Sequence, residues 1–122
     1  KEYLTEYADM DIALDTFPYT GGLTTCEALY MGVPVVTLCG KSHGGRFGAS
    51  LLTNANLEDL VAKTPDEYVQ IAAALAGSLE TLTALRENLR TILQSAPLMD
   101  VRGYVQAVEA AYRAAWERFV GH

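Results

Sequence analysis

The residues best placed to do chemistry lie in the run Thr20-Gly21-Gly22-Leu23-Thr24-Thr25-Cys26-Glu27. Two glycines open the backbone, two hydroxyls follow, and a carboxylate stands two residues further on. Thr24 to Met31 is expected to form a helix of about two turns, stopped by Gly32. The beginning of a helix presents unpaired N–H groups and the positive end of its dipole, which together suit phosphate. Hydroxyls in that first turn add donors, and a carboxylate accepts the hydroxyls of a ribose. The chemistry on offer is a seat for the diphosphate and ribose of a nucleotide sugar. Gly22, Thr24 and Thr25 are the candidate diphosphate contacts, and Glu27 is the candidate ribose contact. A plainer role is open to the same residues: Thr24 as an ordinary N-cap, with Glu27 three residues later completing a capping box.

A second loop, Gly40-Lys41-Ser42-His43-Gly44-Gly45-Arg46, offers Lys41, His43 and Arg46 as contacts to phosphate or to an acceptor peptide, or as solvated loop charges. Its Gly-Lys-Ser is not a Walker A motif, which needs glycine where Val35 stands. Asp9-Met10-Asp11 spells a metal-binding pattern, but it precedes a strand instead of following one, so no metal is expected there. The two histidines, His43 and the terminal His122, support no nucleophilic triad.

These residues must be carried by a folded core. Half of the 122 residues are apolar, which excludes a disordered chain. A net charge of −6 and scattered cations argue against nucleic acid and anionic membranes as partners. No apolar run approaches the roughly 20 residues that span a bilayer. The chain opens on Lys1, so a longer parent is expected. Cys26 and Cys39 form no metal pattern and are expected as reduced core thiols of a cytoplasmic protein.

Glu2 to Ala8 reads as the end of a helix. Asp11-Ile12-Ala13-Leu14-Asp15 is expected to be a buried strand, and Val33 to Leu38 a second one with Pro34 tolerated near its start. Arg46 to Thr53 reads as a helix and Leu57 to Ala62 as a third short strand. This alternation predicts an α/β fold with a parallel sheet flanked by helices. Ligands collect at the carboxyl ends of such strands, so the two glycine-bearing loops are expected to face one crevice.

From residue 64 the pattern is helical. Thr64-Pro65-Asp66-Glu67 is a capping box with proline at the first helical position, Gly77 ends that helix, and Ser78 caps the next. Leu79, Leu82, Leu85, Leu89, Ile92 and Leu93 form an apolar stripe. After Pro97 a last helix carries Tyr104, Val105, Val108, Tyr112, Trp116 and Phe119 on one face, read as packing. The chain is thus one unit, a strand–helix half over 1–63 and a helical tail over 64–122.

Asp11-Ile12-Ala13-Leu14-Asp15, Phe17-Pro18-Tyr19, Thr24-Thr25-Cys26-Glu27 and Met31-Gly32-Val33-Pro34 resemble the C-terminal region of the protein O-GlcNAc transferase family. That family includes the SPINDLY-type O-fucosyltransferases. The similarity runs on through Ser50-Leu51-Leu52-Thr53, Leu60-Val61-Ala62-Lys63 and Asp66-Glu67-Tyr68 to Tyr112 and Trp116. The resemblance implies a GT-B architecture, with this chain part of the Rossmann-like, donor-binding C-terminal domain. It implies transfer of a sugar, from UDP-GlcNAc or GDP-fucose, to Ser or Thr hydroxyls of an acceptor protein, with inversion and without a metal or further cofactor.

The resemblance also implies a parent with an N-terminal catalytic domain and tetratricopeptide repeats. Thr24 and Thr25 match the family's paired diphosphate threonines, and Glu27 stands where the family uses an acid for ribose. His43 matches a histidine of the plant members, and Arg46 an arginine of the animal ones. Leu23 replaces the histidine that animal members carry before the threonines. The family's diphosphate-supporting lysine lies upstream, and no general base is identifiable, so the 122 residues alone are expected to catalyse nothing. The other readings are a helical interaction module, with self-association through its last helix, and a glycogen-synthase-like transferase. The lack of that group's spaced glutamate pair argues against the last.

Overall fold

The computed structural model describes residues 2–121; Lys1 and His122 lie outside the described residues. A short helix α1 (Glu2–Thr5), prolonged by a 3-10 turn over Glu6–Asp9, leads to strand β1 (Ala13–Leu14). Then follow α2 (Leu23–Tyr30), β2 (Val35–Leu38), α3 (Phe47–Asn54) and, after a 3-10 turn at Glu58–Leu60, β3 (Val61–Ala62). The remainder is helical: α4 (Pro65–Ala76), α5 (Leu79–Gln94), a 3-10 turn at Pro97–Met99 and α6 (Val101–Val120).

The strands pair in parallel in the order β1-β2-β3, with Ala13 opposite Val35 and Thr37 opposite Val61. Each crossover is a helix, as parallel pairing requires. β2 is the middle strand, and its Val35, Val36 and Thr37 are buried, as expected of a β-branched run covered on both faces. The strand expected over 11–15 is shorter and less buried than its composition suggests. Leu14 is 58% exposed whereas Asp15 is 8% exposed. Alternate residues face opposite sides, and β1 is an edge strand of the described sheet, so its outward apolar side chain is uncovered.

Glycine punctuation shapes the ends of the crossovers. Gly32 takes φ +86°, a left-handed conformation that a Cβ disfavours. Its N–H donates to Leu29 O at 3.0 Å and that of Val33 to Ala28 O at 2.9 Å, the paired closure of a Schellman motif. α3 closes the same way around Asn56 (φ 60°), with Leu57 N–H donating to Leu52 O at 2.8 Å. That closure consumes Leu57, which is why the third strand begins at Val61 and not at Leu57.

The two caps expected in the helical half are present. Thr64 Oγ1 accepts the Glu67 amide at 3.2 Å, and Ser78 Oγ accepts that of Thr81 at 3.3 Å. The reciprocal arm of the Glu67 box reaches Lys63 N–H at 2.7 Å, one residue before the cap. Along α5, Leu89 and Leu93 are buried and Leu82, Leu85 and Ile92 half-buried, but Leu79 is 78% exposed. The packed stretch runs from Leu82 to Leu93, and the first residue of the helix overhangs it.

The core joins α2, β2, α3 and α5 through Leu29, Val33, Val36, Leu52 and Leu89, all fully buried. Burial of each stabilises the fold by about 1.5–3 kcal/mol. Arg86 of α5 binds the opposite side of α2 from its N-terminus. Its Nη1 donates to Tyr7 O at 3.1 Å and to Met31 O at 3.2 Å, and its Nη2 donates to Met10 O. Arg90 follows one turn later, with Nε donating to Tyr30 O at 3.0 Å and the guanidinium 4.3 Å above the Tyr30 ring. Two cations thus satisfy carbonyls left open at the C-terminus of α2.

The aromatic face of α6, expected to pack, is exposed in this chain: Tyr104, Tyr112, Trp116 and Phe119 are all in contact with solvent, Trp116 at 62%. α6 follows the turn at Pro97–Met99; near its start Tyr104 borders a hollow with Ser50, Leu51 and Asn54 of α3, and beyond it Tyr112, Trp116 and Phe119 stand exposed. No single helix among the described residues is long and apolar enough to cross a membrane.

Candidate functional site

The site is built from the loop between β1 and α2. Thr20 is buried in that loop and ties it to the second one. Its N–H and its hydroxyl both donate to Gly44 O, at 3.0 and 3.1 Å, while its Oγ1 accepts the Gly48 amide at 3.0 Å. The two glycine-bearing loops therefore adjoin at the carboxyl ends of β1 and β2, where ligands of parallel sheets gather.

α2 begins at Leu23 with Gly22 as its N-cap (φ −119°, ψ −90°), and no side chain caps it. This overturns the N-cap role considered for Thr24 and, with it, the capping box. The helix starts one residue early, Thr24 sits inside the first turn, and Glu27 points elsewhere. The first-turn amides are left with the positive end of the dipole and no side-chain acceptor. Thr24 is exposed beside them, and Thr25 is 4% exposed. Both line a hollow of about 200 Å³ with Tyr7, Asp15, Gly21 and Val35. A Cβ on Gly21 would stand 2.7 Å from Thr25 Oγ1 and 3.0 Å from Thr24 Oγ1, so only glycine lets the loop pass so close to the two hydroxyls.

Glu27 does not line that hollow. Its Oε2 accepts the Tyr3 hydroxyl at 2.5 Å, with the Tyr7 hydroxyl 3.4 Å from that of Tyr3. It borders an apolar groove of about 320 Å³ with Leu4, Cys26, Tyr30, Met31 and Leu98. The Glu27 bond, and after it the Tyr7 hydroxyl, push the Tyr3 phenol well above its ordinary value. Burial, and secondly Glu27, push the Cys26 thiol up.

His43 and Arg46 line a third hollow, of about 570 Å³, shared with Cys39, Phe47, Ser50 and Lys63. Arg46 Nη1 donates to Gly40 O at 3.2 Å, and the His43 ring meets the Phe47 ring edge-on at 4.6 Å. Lys41 is exposed and lines none of the three. In this chain Thr24 and Thr25, Glu27, and the His43–Arg46 pair border separate hollows. The reason is the closure of the second loop on itself, Gly40 N–H to Gly45 O at 2.8 Å and Arg46 N–H to His43 O at 3.1 Å. That closure turns its side chains toward α3. Asp9 and Asp11 are exposed ahead of β1, and among the described residues no three potential ligands gather for a metal.

Sequence reasoning missed Asp15 and Thr37. The Asp15 carboxylate accepts Gly21 N–H at 2.8 Å and the Thr37 hydroxyl at 2.7 Å, and its main-chain oxygen accepts the Tyr68 hydroxyl at 2.7 Å. The available signal was a lone hydroxyl inside the run Val35-Val36-Thr37-Leu38, which a buried strand tolerates only with a partner.

Comparison with known proteins agrees with this architecture. The model of the family described as Glycosyl transferase family 41 matches residues 2–108. A SPINDLY protein of Hordeum vulgare, named as a probable UDP-N-acetylglucosamine–peptide N-acetylglucosaminyltransferase, is 48% identical over 118 residues, 97% of this chain and 12% of the relative. The enzyme named UDP-N-acetylglucosamine–peptide N-acetylglucosaminyltransferase of Caenorhabditis elegans is 33% identical over 109 residues, 89% of this chain and 10% of its own. In three dimensions the chain superposes on a mutant O-GlcNAc transferase from Thermobaculum terrenum with a TM-score of 0.82 and 48% identity, covering 96% of this chain and 22% of that one. The chain therefore spans a small part of the relatives it matches, and its sheet and helices are part of a Rossmann-like GT-B domain. Matched along most of its length in sequence and superposed in space, this chain belongs to glycosyl transferase family 41.

Proposed function

We propose that this chain is the donor-nucleotide-binding part of a protein O-glycosyltransferase that moves GlcNAc from UDP-GlcNAc to Ser or Thr hydroxyls. The observation that carries the proposal is the uncapped first turn of α2, with the hydroxyls of Thr24 and Thr25 beside it. The diphosphate sits on those amides, and Gly22 brings no side chain into the open space beside them. In catalysis the same dipole and hydroxyls support the departing nucleoside diphosphate, and the rest of the acceleration comes from positioning donor and acceptor. Glu27 takes the ribose hydroxyls once its carboxylate is shared with, or released from, Tyr3. Arg46 and His43 face the acceptor or a phosphate from the neighbouring hollow, and Lys41 reaches in from solvent.

The choice of UDP-GlcNAc over GDP-fucose is supported by the donor in the relatives' names. The parent supplies an N-terminal catalytic domain, with tetratricopeptide repeats before it, and works in the cytoplasm without a metal or other cofactor; the 122 residues alone are inactive. The exposed aromatic face of α6 supports a second reading, a helical interaction module that self-associates or docks a partner.

Titration of the full-length protein with UDP, GDP and their sugars tests the proposal. Thr25→Ala should weaken binding by about 1–3 kcal/mol, a loss of roughly fivefold to 150-fold. Unchanged affinity in a folded variant, or no nucleotide binding at all, refutes it and leaves the interaction module.

A further inference from the structure

We infer that Asp15 is a positioning residue for the nucleotide hollow: its carboxylate, anchored on Thr37, holds the Gly21 amide and so sets where the hydroxyls of Thr24 and Thr25 stand. The inference rests on the reading of the α2 N-terminus as the diphosphate seat.

Asp15 follows β1 and is one of the few buried polar side chains of the chain. Its two oxygens are committed separately, Oδ1 to Gly21 N–H at 2.8 Å and Oδ2 to the Thr37 hydroxyl at 2.7 Å. Thr37 lies in the middle strand and is fully buried, which makes it a fixed post. From the other side Tyr68 of α4 donates to the main-chain oxygen of Asp15 at 2.7 Å. The N-terminus of α3 closes over the pair, since a side chain at Gly48 would overlap both Thr37 Oγ1 and Asp15 Oδ2. Asp15 is thus held by β2, α3 and α4, and it transmits that position to one place, the Gly21 amide.

Gly21 faces both threonine hydroxyls across a gap too narrow for a side chain: a Cβ there would stand 2.7 Å from Thr25 Oγ1 and 3.0 Å from Thr24 Oγ1. A Gly21 freed from Asp15 would carry this wall of the hollow with it. Asp15 borders the hollow but has only acceptors, so it offers nothing to a phosphate oxygen, and its effect passes through the loop. A carboxylate suits the place because both partners are donors. It accepts from each without a choice of orientation, and charge strengthens both bonds.

The test is steady-state kinetics of the full-length protein with whichever of UDP-GlcNAc and GDP-fucose it turns over. Asp15→Ala should raise the donor KM about tenfold, leave the acceptor KM unchanged, and do so well below the variant's melting temperature. Asp15→Asn should restore the donor KM to within about threefold, because its oxygen can still accept from Gly21 while its amide donates to Thr37. Should Asp15→Ala not fold, Thr37→Val serves in its place; it keeps the shape, touches no ligand, and should raise the donor KM several-fold. A purely structural role would lower the melting temperature and the active fraction with the donor KM unmoved, and that result overturns the inference. Loss of donor affinity in Thr25→Ala with none in Asp15→Ala or Thr37→Val overturns the inference alone. No loss in any of the three overturns it together with the reading of α2.

Discussion

Replacing Arg86 by Ala should loosen the joint between α5, the C-terminus of α2 and the segment before β1. The wild-type guanidinium bonds three carbonyls on two separate segments, Tyr7 and Met31 through Nη1 and Met10 through Nη2. A hydrogen bond to a charged group contributes about 1.5–3 kcal/mol when buried. The Met10 bond is exposed and adds little. The two Nη1 bonds are partly buried and share one nitrogen, so they count as little more than one. Water admitted by the smaller side chain then rehydrates part of what is lost. The expected cost is about 1.5–3 kcal/mol. For a chain of this size a urea slope of about 1.5–2 kcal/mol per M puts the unfolding midpoint roughly 1–2 M lower. Arg86→Lys keeps the charge and the stem but loses the fork, so it should recover less than half of the shift. A midpoint lowered by less than about 0.3 M in Arg86→Ala would refute the reasoning, and full recovery by Lys would show that charge and not the fork holds the joint.

The other predictions concern single groups. Gly32→Ala must place a Cβ at φ +86° and 2.9 Å from Arg86 O, so it should cost at least about 1–2 kcal/mol in a denaturant melt. Burial, and secondly the Asp15 carboxylate, push the Tyr68 phenol up. Its folded form holds the proton longer than the unfolded chain, so its contribution is complete below the unfolded value near 10 and is lost as pH rises through the folded one. Tyr68→Phe should remove that alkaline loss, along with about 0.5–1.5 kcal/mol of stability from the bond to Asp15 O; an unchanged alkaline limb in the variant would count against it. The Cys26 thiol, raised by burial first and by Glu27 second, should react with iodoacetamide at mildly alkaline pH more slowly than a free thiol. Equal rates in the folded protein would contradict that assignment.

Much of the fold was legible because its signals are local. Gly32 after an apolar run, Thr64-Pro65 before another and Ser78 after Gly77 each act on amides within a few residues, and each stands where the pattern placed it. The alternation of β-branched runs with helices likewise called for parallel strands, and the motif order over most of the chain carried the family. What local patterns could not decide was which face of an element would find a cover. Leu14 and Leu79 read as core and are exposed, as are Tyr112, Trp116 and Phe119 of α6.

The site divides along the same line. That two hydroxyls and a glycine stand at a helix start is a property of consecutive residues, and the sequence alone determined it. Which of them caps the helix, where Glu27 turns, and which hollow each candidate borders depended on contacts between distant segments. Asp15 meets Thr37 across 22 positions and Tyr68 across 53, and Arg86 meets Tyr7 across 79. Such bonds form only once the sheet and helices have packed. They satisfy polar groups that burial would otherwise leave without water, a requirement no single stretch of sequence can state for itself.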